Sequence, residues 1–312
     1  NKIILRGRNA PDYTMQPRKI FSIPLNPTLS PEAFFKVYVP FIRKYKAWIY
    51  DVYFTVRCGP FTQDAMGIDI NENEYKNLVD NAILLRDLTG VEISATFNNT
   101  AVPPTQQNLD LWIKNFKVLY GMGIRSCTLP HTHWLATGQI KSLFPDLMVK
   151  NTILRKVTEP REVFALAEAG FDYINVDRNL MRDRDTLLHL KRAKEHVWKS
   201  LGKKLSYSLL SNEGCLGNCP MMTEHFHFNC TRTKNSPQYF NDPISRVSCP
   251  KWDVKDPAVH LKTANLPPWK EDWEEFLELG IDVFKMPNKD TIPYIKFTPA
   301  PIIKPVNNCD IL

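Results

Sequence analysis

No stretch of this 312-residue chain is apolar for long enough to cross a membrane as a helix. The first residues, Asn-Lys-Ile-Ile-Leu-Arg-Gly-Arg, lack the apolar core and small-residue cleavage site of a signal peptide. There is no arginine-rich tail and no alternation of basic with aromatic residues. The net charge of +7 is spread along the chain, so it reads as solubility and leaves RNA or another anionic partner as a secondary expectation. No Ser/His/Asp arrangement, phosphate-cradling glycine loop or zinc-protease helix occurs, which disfavours the usual nucleophilic and zinc hydrolases. The closely spaced three-cysteine pattern of radical-SAM enzymes is missing too. Cysteine itself is scarce, and an odd count of seven argues against a complete disulfide framework. That count points to a reducing, cytoplasmic setting.

Four of those seven cysteines nevertheless fall close together, at Cys215, Cys219, Cys230 and Cys249, with gaps of three, ten and eighteen residues. The run Ser-Asn-Glu-Gly-Cys-Leu-Gly-Asn-Cys-Pro, residues 211–220, opens the set just past an apolar stretch ending at Leu210. Gly214 and Gly217 free the backbone so that two sulfurs can face one centre, and Pro220 stiffens the exit. Four thiolates satisfy either tetrahedral zinc or an iron–sulfur cluster. On spacing the two stand level, with disulfides behind them.

The remainder alternates between strand and helix patterns. Residues 1–29, with Pro11, Pro17, Pro24 and Pro27, read as an extended arm. A helix begins at Ser30-Pro31, and Pro40 should kink or interrupt it. Strands are expected at Ala47–Val56, Val91–Phe97, Ile124–Leu129, Leu147–Leu154, Tyr173–Val176, Lys204–Leu210, Ala258–Thr263 and Ile281–Met286. Helical patterns lie between most of them, the longest from Asp183 to Leu201. Such alternation implies a parallel sheet, and eight strands fit an α/β fold of the TIM-like (β/α)8 type, spanning 30–290. Its long cysteine-rich loop, 211–250, follows the sixth expected strand, and 291–312 form a tail. An irregular segment of that length in a compact domain is either disordered or functional.

Three stretches carry a resemblance. Asn212-Glu213-Gly214-Cys215-Leu216-Gly217-Asn218-Cys219-Pro220, with His225-Phe226 after it, resembles the cysteine signature of the collagenase-like peptidases, the U-32 family. Ala169-Gly170-Phe171-Asp172-Tyr173 through Asp177-Arg178 is similar to that family's glycine-led strand ending in arginine. Pro268-Trp269-Lys270-Glu271-Asp272-Trp273, continuing through Gly280-Ile281-Asp282-Val283-Phe284-Lys285-Met286, resembles its C-terminal ending. The resemblance covers roughly 147–290 and implies a TIM-like domain with a 4Fe–4S cluster on Cys215, Cys219, Cys230 and Cys249. It further implies oxygen-independent hydroxylation of a tRNA or rRNA base or a ubiquinone precursor, with prephenate the hydroxyl source in some members. A peptidase of the same family is the alternative, and a non-catalytic protein whose loop is pinned by a cluster or zinc is another. One departure stands out: the family's glycine–arginine after the last strand is replaced by Met286-Pro287-Asn288-Lys289. A lysine there is a point charge without the planar fork that grips a carboxylate at two points.

Glu213, Arg178 and Lys285 end three expected strands and so share one barrel face. There the two cations could hold an anionic or aromatic substrate and the carboxylate could move a proton. An ion-pair network on the rim is the competing reading. His225 is a candidate proton donor or thiolate partner. His131 and His133, past the third expected strand, could bind a metal or merely order a loop. Asn98 and Asn99 could bind substrate or make a turn, and Cys127 reads as core. A partner protein for the arm is also possible on this reading.

Overall fold

The computed structural model describes residues 18–27, 29–62, 71–211, 222–224 and 270–286. Eight parallel strands, each hydrogen-bonded to the next in chain order, close into a barrel. They are β1 (Phe21–Pro24), β2 (Ile49–Thr55), β3 (Ile93–Thr96), β4 (Ser126–Leu129), β5 (Met148–Asn151), β6 (Tyr173–Asn175), β7 (Ser206–Leu210) and β8 (Val283–Lys285). The α/β barrel expected from the alternation is therefore the observed fold. No helix among the described residues is long and apolar enough to cross a membrane.

The strand count is right for a different reason than expected. The first strand lies inside the segment read as an arm, where four residues, Phe-Ser-Ile-Pro, pair with β2 on one side and β8 on the other. Pro24 fits because it ends the strand, where a missing N–H costs little. The expected strand Ala258–Thr263 lies outside the described residues, and the barrel closes without it. The long cysteine-bearing segment accordingly follows β7, the seventh strand rather than the sixth.

Helices cover the outside of the barrel. Between β1 and β2 run α1 (Pro31–Ala33), a widened π turn (Phe34–Tyr38) and α2 (Val39–Tyr45). Ser30 caps the start by accepting the Ala33 N–H at 3.1 Å. The expected break at Pro40 appears as the π turn. Proline offers no N–H to the carbonyl one α-turn back, and the widened turn absorbs that misfit. Next come α3 (Glu72–Thr89), α4 (Gln106–Gly121), α5 (Thr132–Ala136), α6 (Gln139–Leu143), α7 (Pro160–Ala169), α8 (Arg184–Leu201) and α9 (Lys270–Glu278). Long α8 shows why these residues become helical. Asp183 accepts the Thr186 N–H at 3.0 Å, Leu187, Leu190, Ala193 and Val197 bury one face, and Gly202 stops it with φ of 63°.

The apolar core lies between strands and helices. Ile23, Val52, Phe54, Ile93, Ala95, Cys127, Val149, Ile174, Leu209 and Phe284 are all buried on the outward faces of the strands. Trp273 of α9 packs edge-on to Phe284 of β8 at 4.3 Å and to Phe21 of β1 at 5.2 Å, covering the seam where first and last strands meet.

The two Gly-x-Asp motifs that carried the resemblance both lie at the N-terminal face of the barrel. The Asp172 carboxylate accepts the Val149 N–H at 2.9 Å and the Lys141 ammonium at 2.5 Å. Asp282 accepts the Tyr207 N–H at 2.7 Å and pairs with Lys194. Each carboxylate thus ties one strand to the strand before it. Asp282→Ala should cost about 1–3 kcal/mol, because the Tyr207 amide loses its partner. Glu32→Ala, which breaks the exposed Glu32–Lys36 pair, should cost under about 0.5 kcal/mol. Chemical denaturation of both variants checks this, and equal losses would refute the assigned role.

Candidate active site

Cross-strand partners share a face, so the register states which side chains enter the barrel. Three layers follow, each built from alternate strands. The lowest holds Asp51, Ser126, Tyr173 and Val283. Above it lie Ser22, Ser94, Lys150 and Ser208, then Tyr53, Thr128, Asn175 and Lys285 nearest the C-terminal ends of the strands. Val283 is the one apolar member of these three layers, and the same register also turns Pro24, Met148 and Leu210 inward. Barrel interiors are ordinarily stacked with Val, Ile and Leu, whereas this one is a hydrogen-bonded polar stack.

At its centre Lys150 reaches from β5 to Asp51 on β2, with both side chains buried to 4% and 2% exposure. Ser22 donates to the other Asp51 oxygen at 2.5 Å. A bulge sets up this arrangement: Phe21 pairs with Ile49 but Ser22 pairs with Asp51, so Tyr50 is an extra residue in β2. The Lys150 ammonium lies 4.7 Å from the Tyr173 ring centre and 5.7 Å from that of Tyr50. Burial pushes the Tyr50 phenol up to about 12 and raises Tyr173 further, so both stay neutral beside the pair. Ser94 and Ser126 share a hydrogen bond of 3.0 Å, and Ser208 donates to Asn175 at 2.6 Å. Lys150 directs its ammonium down, away from the mouth, and works as a strut.

Two of the sequence-derived residues, Lys285 and Arg178, lie at the mouth. Lys285 ends β8, is 9% exposed, and sets its ammonium 4.4 Å from the centre of the Tyr53 ring. The Tyr53 hydroxyl donates to the Met286 carbonyl at 2.6 Å, which fixes that ring. Arg178, 3% exposed, begins the 3-10 turn just past β6, capped by Asp177 accepting the Asn179 N–H at 2.7 Å. Between them β7 ends, and the Ser211 N–H donates to the Lys285 carbonyl at 2.9 Å. Arg178, Ser211 and Lys285 therefore stand on three successive strands at one end of the barrel. The Ser211 hydroxyl is fully buried and makes no hydrogen bond among the described residues. Glu213, Cys215, Cys219, His225, Cys230 and Cys249 lie outside the described residues.

Other candidates resolve to structural roles. His131 Nε2 lies 2.5 Å from the Val102 carbonyl, so that nitrogen carries the proton and donates rather than binding a metal. His133 is exposed on α5, and no group of three or more metal-binding side chains occurs among the described residues. Asn99 donates to the Pro60 and Thr62 carbonyls at 3.0 Å each and clamps two loops together. Cys127 is core, and burial pushes its thiol far above the usual range. Asp51 and Lys150 escaped the sequence reading. The available signal was a single charge in the middle of each of two apolar strands.

No family model matches the chain, and no curated protein matches it. Solved structures share its fold. A U32 peptidase superposes with a TM-score of 0.55 at 13% identity, over 89% of this chain and 97% of that one. A porous protein cage designed by fusing symmetric oligomeric domains gives a TM-score of 0.40 at 11% identity, over 86% of this chain and 62% of the cage chain. A protein described as a deoxyribose-phosphate aldolase from Coccidioides immitis gives 0.44 at 9% identity, over 86% of this chain and 80% of its own. At 13% identity the likeness to the U32 peptidase establishes the barrel and no chemistry.

Two outcomes test this description. Lys150→Met should destabilise by about 3–5 kcal/mol, since it strands a buried carboxylate. Adding Asp51→Asn should return part of that loss, and a double variant as unstable as the sum of the singles would rule out the coupling. Burial, opposed by the bond to Val102, lowers the His131 pKa below its ordinary 6.5. The unfolded chain therefore takes up the proton first, and stability present above pH 6.5 is lost as the pH falls toward the folded-state value. Denaturation against pH should show that acid loss flattened in His131→Gln, and an unchanged profile would contradict it.

Proposed function

We propose that this protein is a barrel enzyme of the U32-peptidase-like kind that carries an iron–sulfur cluster and hydroxylates an RNA base or a small aromatic substrate without dioxygen. One observation carries the reading. Arg178, the entry to the cysteine-bearing segment at Ser211, and Lys285 occupy adjacent strand ends, on the face where barrels of this fold bind substrate. The resemblance at Cys215, Cys219 and Glu213 falls on the segment that leaves this same end.

The thiol inventory fits a cluster. Burial raises the Cys58 thiol to about 11 and Cys127 beyond it, so both are neutral thiols in the metal-free fold. Cys215, Cys219, Cys230 and Cys249 would hold the cluster, and four thiolates are a soft donor set suited to iron–sulfur or zinc. When bound, the cluster supplies a redox-active or Lewis-acidic iron. The chain's own groups do the rest. Arg178 and Lys285 attract and orient an anionic substrate, and Glu213 moves a proton, with His225 as a second candidate donor. In this reading a hydroxyl-bearing organic co-substrate gives up its C–OH bond to the substrate carbon and takes the displaced hydrogen, so that it is reduced as the substrate is oxidised.

Anaerobically purified protein should contain about four irons and four acid-labile sulfides per chain and be brown in solution. Cys219→Ser should lose that colour while the barrel's far-UV circular dichroism is retained, because the described strands bury their own core. Stoichiometric zinc without sulfide would sink the proposal. Gelatin cleavage that survives repurification and vanishes in Glu213→Gln would turn it into a peptidase.

A further inference from the structure

Lys156 is the single non-glycine residue with left-handed backbone among those described, at φ 55° and ψ 51°. Glycine is the ordinary occupant of such a position, so a lysine there carries a backbone cost that draws attention to what its side chain contacts. The surrounding backbone leaves it little choice. Thr152 accepts the Leu154 N–H at 3.2 Å to start the 3-10 turn Ile153–Arg155, and the Lys156 N–H closes that turn on the Ile153 carbonyl at 3.1 Å. One residue later Val157 returns to the sheet beside Val176, where its carbonyl accepts the Asp177 N–H at 2.9 Å. From this pinned corner Lys156 Nζ donates to Thr223 Oγ1 at 3.0 Å. Thr223 belongs to a helical turn, residues 222–224, in which Met222 is buried at 5% exposure.

These three residues lie between Cys219 and Cys230. We propose that they moor the cysteine-bearing segment to the barrel, and that Lys156 is the positioning residue that fixes the mooring. Ser211 follows the end of β7, and residues 222–224 lie beside the connection from β5 to α7. The end of β6, with Arg178, lies between those two points. The mooring thereby fixes residues 222–224 beside the β5–α7 connection. It goes beyond the proposed chemistry and holds whether the thiols carry a cluster, zinc or nothing.

Lys156→Gly and Thr223→Val test it, alone and together, in full-length protein purified anaerobically. Thermolysin digestion mapped by mass spectrometry reads opening of residues 212–269, and far-UV thermal melts read the barrel. Each single variant should raise cleavage within that range roughly two- to tenfold, the effect of one lost hydrogen bond on a local opening equilibrium. The double variant should be cleaved no faster than the faster single, because both changes remove the same contact. Barrel melting should be unchanged in Thr223→Val and unchanged or higher in Lys156→Gly, where the backbone conformation now suits its residue. Cleavage unchanged in both singles, additive increases in the double, or faster cleavage matched by a general loss of barrel stability would each overturn the proposal. Iron and sulfide analysis of the parent protein is a separate measurement, so failure there leaves this result standing.

Discussion

The buried pair between Lys150 and Asp51 is the constraint on which the barrel depends. Two ions removed from water lose solvation worth several kcal/mol each, and the pair offsets this only when its geometry is closed by further hydrogen bonds. Here Ser22 satisfies the second carboxylate oxygen and two neutral tyrosine rings flank the ammonium. Because β2 and β5 are far apart around the ring, the pair couples strands that share no backbone hydrogen bond. The bulge at Tyr50 and the serines of the middle layer fit the same requirement, since partnered members stabilise a polar stack, although the buried Tyr173 hydroxyl has no hydrogen-bond partner among the described residues. Stability from apolar burial is therefore confined to the shell outside the strands.

That division separates the two ends of the molecule. At the N-terminal face the charged groups close strand pairs, as Asp172 does for β5 with β6 and Asp282 for β7 with β8. At the C-terminal face, Arg178 and Lys285 belong to strand ends that open onto the cysteine-bearing segment. Motifs that look like a single family signature in the sequence thus split by position. The Gly-x-Asp elements and Trp273 hold strands together, whereas Arg178 and Lys285 lie at the C-terminal ends of β6 and β8.

Much of the fold was legible because helix signals are local. Ser30 and Asp183 announced their helix starts, and the apolar periodicity of α8 survived tertiary packing. The strands were legible where Val, Ile and aromatic residues cluster, as in β2. The first strand was hidden because four residues flanked by prolines carry no periodicity, and its identity comes entirely from partners more than two dozen residues away. The site was half visible. Arg178 and Lys285 could be placed by counting strands, since strand ends of a barrel must converge. Asp51 and Lys150 could not, because pairing two lone charges requires the register, and one bulge at Tyr50 alters that register.

The two lumen lysines show why position in the stack decides role. Lys150 sits a layer below Lys285 and spends its charge on Asp51, with its ammonium turned toward the closed end. Lys285 rests its ammonium on the face of Tyr53, a partner that attracts a cation yet brings no negative charge of its own. Tyr53 is in turn held by the Met286 carbonyl, in the residue that follows Lys285, so ring and ammonium are fixed by one stretch of chain. A lysine oriented in this way is ordered by its own stretch of chain, one layer above the buried Lys150–Asp51 pair and separate from it.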